Sequence, residues 1–81
     1  EIATVQYRTM DEEAVLFFEE CADRTNVRWT EPVTSIARFA LAMLDGLVLR
    51  WLVDRDGDAM TVALDDMVQI VASKAVESRD D

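Results

Sequence analysis

The sequence predicts an all-α fold: a helical bundle fragment of three to four helices, the last two forming an antiparallel hairpin. Three observations predict it. Apolar residues recur at spacings of three and four over long stretches, and strand-like alternation persists nowhere. Only two glycines and one proline interrupt 81 residues, so the elements are few and long. Residues 36–52 read as a helix that is apolar around nearly its whole circumference, broken only by Arg38, Asp45 and Arg50. Such a helix must be buried on several sides at once.

The first helix is expected at about residues 2–23, because Ala3, Tyr7, Met10, Ala14, Phe17 and Cys21 fall along one helical face. Asp11 is suited to cap a second segment, with Glu12 and Glu13 in its first turn, so one bent helix or two in tandem both fit. Residues 24–29 lose the helical period. Thr30-Glu31-Pro32 then opens the second helix, at about residues 31–53, since proline is tolerated where its missing N–H would be unpaired anyway. A polar turn, residues 54–58, follows, and Asp58 is a natural N-cap for a third helix at about 58–75. In that helix Met60, Leu64, Met67 and Val71 form a narrow seam of the kind that joins a bundle. Residues 77–81 are charged, patternless and expected to fray.

The chain has room for one small domain, and at this size only about 60% of the unfolded surface is buried on folding. The second helix therefore needs outside cover, from a second copy of the chain or from a further domain. Glu rather than Met at position 1 raises the expectation of a fragment of something longer. The formal net charge of −9 disfavours contact between this chain and nucleic-acid phosphates. A lone cysteine, Cys21, excludes an internal disulfide and suits a reducing, cytoplasmic setting. Asp45 splits the best apolar run, so no membrane span is expected.

Chemistry finds little footing. There is no histidine, no base next to Cys21 in sequence and no glycine-rich phosphate loop, so no catalytic residue is assigned and the chain is not expected to be an enzyme. Asp54, Asp56 and Asp58 imitate a calcium loop, but counting from Asp54 puts Ala59 where the sharp turn needs glycine. No metal and no cofactor are expected. Phe17, Phe18, Met43 and Trp51, with Phe39, are of the types that line a small-molecule cavity, and equally of the types that fill a core. On the second helix Arg38 and Asp45 share a face with Ala42, Gly46 and Leu49. Small residues there permit close helix approach, and the two opposite charges suit reciprocal pairing across a two-fold axis; a solvated stripe with ordinary surface charges fits as well. Gly46 in mid-helix, at a cost of about 1 kcal/mol relative to alanine, favours a packing reason.

The run Ala37-Arg38-Phe39-Ala40-Leu41-Ala42-Met43-Leu44-Asp45-Gly46-Leu47-Val48-Leu49-Arg50-Trp51-Leu52, followed by Asp54, a short acidic turn and an amphipathic helix, resembles the C-terminal end of TetR/AcrR-family transcriptional regulators. Leu44-Asp45-Gly46-Leu47 and the later Trp51-Leu52 carry the likeness. The opening Glu-Ile-Ala-Thr-Val-Gln-Tyr-Arg looks like the start of the preceding helix in that family. The resemblance implies a bacterial, homodimeric repressor domain that senses a small organic effector, reaching DNA only through an N-terminal domain that this chain lacks. It also implies that the second and third helices build a four-helix bundle with their copies in a partner. Arg38, Ala42, Asp45, Gly46, Leu49, Met60, Leu64, Met67 and Val71 are the candidate dimer contacts, and Phe17, Phe18, Met43 and Trp51 the candidate pocket. The first helices of the effector domain are missing as well, so these residues alone are not expected to close a cavity. The alternative is a free-standing acidic helical module for protein interaction or oligomerisation.

Overall fold

The structure, a computed structural model, describes residues 2–78. Its elements run α1 (Ile2–Thr25), β1 (Val27–Trp29), α2 (Val33–Asp54), α3 (Gly57–Ser73) and β2 (Ala75–Glu77). The all-helical framework and the α2–α3 hairpin agree with the sequence, and no helix among the described residues is long and apolar enough to cross a membrane. The charged tail at 79–81 lies outside the described residues.

Of the two readings of the first segment, the continuous helix is the one observed. Residues 11–13 cause no break, because Asp and Glu in a helix interior cost only a few tenths of a kcal/mol each. Asn26, at φ 56°, stops α1 by entering the left-handed region, which asparagine tolerates better than most residues. Helix α2 starts at Val33 rather than Glu31. Pro32 keeps an extended ψ of 132° and acts as the N-cap, its carbonyl accepting from Ser35 and Ile36 N–H. The residue before a proline is itself held out of the helical region.

The α2–α3 turn corrects one expectation. Asp56, not Asp58, caps α3, its carboxylate accepting from Ala59 N–H at 3.0 Å. Asp54 is occupied in the turn, accepting from Asp56 N–H at 3.0 Å, and Arg55 reverses the chain at φ 53°. A non-glycine residue in that region costs about 1 kcal/mol or more. The Arg55 guanidinium offsets part of it by stacking 4.3 Å from the centre of the Trp51 ring.

Two short strands also depart from the sequence reading. Helix α3 ends at Ser73 rather than near residue 75, and Ala75–Glu77 pairs antiparallel with Val27–Trp29, Val76 opposite Arg28. The ladder is extended by Ser78 N–H to the Asn26 carbonyl at 3.0 Å and by Thr30 N–H to the Lys74 carbonyl at 2.7 Å. Trp29 turns inward from β1. Its ring meets Phe18 edge-to-face at 5.5 Å and its indole N–H donates to the Phe18 carbonyl at 3.0 Å.

This ribbon closes one end of the molecule, and the core sits beside it. Among the described residues, Ala22, Ile36, Ala37 and Ala40 are buried, three of them alanines that let α1 and α2 approach closely. Away from that end, cover runs out. Along one face of α2, exposure rises from 0% at Ala37 through 6% at Ala40 to 36% at Leu44, 46% at Val48 and 50% at Leu52. The radius of gyration is 14.6 Å, against about 12 Å for a compact domain of this length. The accessible surface is 6262 Å², where about 4,900 Å² is typical of a folded chain of this mass.

Two substitutions test this account. Trp29→Phe keeps the ring contact but removes the hydrogen bond to Phe18, and should cost about 1 kcal/mol in urea unfolding. Asp56→Ala removes the cap of α3 and should also cost about 1 kcal/mol, with the same residue replaced by asparagine nearly neutral.

Candidate functional site

Helices α1 and α2 run antiparallel and leave a trough along one side of their seam. It has two lobes that share Arg8, Asp11 and Arg38. The lobe nearer the ribbon, about 640 Å³, adds Glu12, Val15 and Leu16 from α1 and Thr34 and Ser35 from the first turn of α2. The other, about 560 Å³, adds Tyr7 and its neighbours Ala3 and Thr4, with Leu41, Ala42 and Asp45 opposite. Both lobes are open to solvent, and most of the side chains that line them are exposed. Helical spacing makes the arrangement: on α1 Asp11 and Glu12 lie three and four residues after Arg8, and Val15 four and three after them, while Thr34, Arg38, Leu41 and Asp45 follow one another by three and four on α2.

The electrostatics of the trough are mixed. Arg8 and Arg38 stand with Asp11 and Glu12 in the larger lobe. The ion pairs found among the described residues join Arg24 to Glu20, Arg50 to Asp54 and Lys74 to Glu31, so neither trough arginine is committed to a carboxylate within 4 Å. The first turn of α2 likewise has no side-chain cap, which leaves the positive end of a 22-residue helix dipole beside Thr34 and Ser35.

The expected pocket residues are not brought together. Phe17 is exposed, and its ring meets Phe18 edge-to-face at 5.4 Å. Phe18 packs on Trp29 as part of the closed end. Met43 is half-buried on α2, and Trp51 stands at the far end of that helix, lining a narrow cleft of about 90 Å³ with Leu47, Met60 and Ala63. These aromatic side chains thus serve packing at two ends of the molecule, and the larger lobe of the trough is lined by Arg8, Asp11, Glu12, Thr34 and Ser35, none of them a site residue expected from the sequence; a wider, acidic groove of about 810 Å³ runs beside β1, lined by Glu19, Glu20, Asp23 and Glu31 with Trp29 and Pro32. The one available signal was Arg8, a cation on the strongly acidic first helix.

The expected dimer contacts divide into three groups. Arg38, Ala42 and Asp45 line the trough against α1. Gly46 and Leu49 stand in the open: a Cβ built on Gly46 meets nothing within 4 Å, and Leu49 is 65% exposed. Met60, Leu64, Met67 and Val71 share one half-buried face of α3, with Met60 against Leu47 and Trp51 of α2. The apolar residues most exposed on the hairpin are Leu49 and Val53 on α2 and Val62 and Val68 on α3.

Compared with protein-family models, with curated proteins and with solved structures, the chain matches none.

Proposed function

We propose that the chain is an assembly domain that pairs with a second copy of itself through the α2–α3 hairpin. The observation that carries this reading is the loss of cover along α2. Its C-terminal half presents Leu44, Val48, Leu49, Leu52 and Val53 on several sides, none of them buried. The chain as a whole exposes about 1,300 Å² more than a compact chain of its mass, on α1 (Ile2, Val5, Leu16, Phe17) as well as on the hairpin, against roughly 800 Å² per partner in a standard interface. Burying even half of it would contribute favourably at about 25 cal/mol per Å² of apolar area, before the cost of association. An identical hairpin suits the open flank, because two hairpins laid together make a four-helix bundle with a shared apolar interior.

The resemblance of the Leu44-Asp45-Gly46-Leu47 run to TetR/AcrR regulators gives this assembly its biological sense. On that reading the domain is the dimerising, effector-sensing C-terminal part of a transcriptional repressor. It binds no DNA itself and passes ligand occupancy to an attached DNA-reading domain by shifting a conformational equilibrium. The net charge of −9 agrees with a domain held away from DNA. A free-standing acidic module that covers the same flank with a different protein is the second reading, and the same exposed leucines and valines support it.

Sedimentation equilibrium separates the two. The first reading expects twice the monomer mass, and a monomer after Leu49→Asp, which would bury an uncompensated charge. Gly46→Leu, placed where the chain itself leaves open space, should weaken pairing while leaving the helical circular dichroism intact. A monomeric wild-type chain at high concentration would overturn self-pairing.

A further inference from the structure

We propose that the α1–α2 trough is a binding site for a small apolar zwitterion of the amino-acid class. The charge inventory selects the class. The larger lobe presents two guanidiniums, Arg8 and Arg38, and two carboxylates, Asp11 and Glu12, beside the aliphatic side chains of Val15 and Leu16. A simple organic anion would meet the two acids unanswered, and a simple cation would meet the two arginines. A molecule that carries both charges on an apolar body satisfies both pairs. Its carboxylate belongs with Arg8 and Arg38, since guanidinium forks hold carboxylates in two parallel hydrogen bonds. The Thr34 and Ser35 hydroxyls and the uncapped first turn of α2 add donors and positive potential at the same end. Its ammonium belongs with Asp11 and Glu12, and its side chain lies over Val15 and Leu16.

The composition of the chain makes the convergence informative. Only 8 side chains are basic against 17 acidic, and the structure places two of those few cations on one cleft, outside every ion pair among the described residues. Because the larger lobe draws residues from both α1 and α2, an occupant would tie the two helices together beside the turns of α2 that carry the buried Ile36 and Ala37. The lining residues carry the site by themselves; its meaning as an effector site rests on the regulatory reading above.

The test is titration of L-leucine into the isotope-labelled chain, in whatever oligomeric state it adopts, followed by amide NMR. Leucine should shift the amides of Arg8, Asp11, Val15, Thr34, Ser35 and Arg38. Two half-analogues, 4-methylpentanoate without the ammonium and 3-methylbutylamine without the carboxylate, should each bind more weakly by about tenfold or more. Arg38→Gln, at an exposed position, and Asp11→Asn, an isosteric change at a half-buried one, should each weaken leucine by a similar factor, whereas Arg28→Gln, outside the trough, should not. Absence of any shift at millimolar leucine, equal binding of either half-analogue, or shifts confined to the open α2–α3 flank would overturn the proposal. None of these outcomes bears on the sedimentation result, so failure of the site and failure of self-pairing remain distinguishable.

Discussion

Everything in this small structure turns on how α2 is covered. A 22-residue helix that is apolar on most of its circumference has to find neighbours on more than one side, and the chain supplies two, α1 and α3. They are enough at one end only. Near the ribbon, Ile36, Ala37 and Ala40 are buried where α2 packs on α1, and alanines make close approach cheap there. Towards the α2–α3 turn the neighbours contribute the half-buried stripe of Met60, Leu64, Met67 and Val71, and the remaining leucines and valines stay open.

The closed end depends on a clasp built from residues far apart in sequence. Lys74 is its centre: its carbonyl accepts from Thr30 N–H and from the Thr30 hydroxyl at 2.9 Å, its ammonium meets Glu31 at 2.8 Å, and it lies 5.8 Å from the centre of the Phe39 ring. With its side chain about three-quarters covered, that ion pair is less screened than the exposed pairs on α1 and at the end of α2. The clasp ties the end of α3 to the segment that leads into α2.

The two proposed surfaces occupy different parts of α2. The trough uses its N-terminal and middle turns, from Thr34 to Asp45, against α1. The open apolar flank uses its C-terminal turns, with α3 alongside.

The sequence alone determined the helical class, the approximate helix boundaries, the hairpin and the shortage of cover on the second helix, because periodicity and turn chemistry are local and summed over many residues. Turn residues were legible in kind but not in register: Asp54, Asp56 and Asp58 all have capping chemistry, and only the path of the chain through Arg55 gave the cap to Asp56. The β-ribbon was invisible, since three-residue strands are too short to show alternation and their ladder joins residues about fifty positions apart. The trough was equally hidden. Arg8 and Arg38 each look like ordinary surface charges on their own helix, and it is the antiparallel packing of α1 on α2, a long-range choice made by apolar burial elsewhere, that sets them on one cleft.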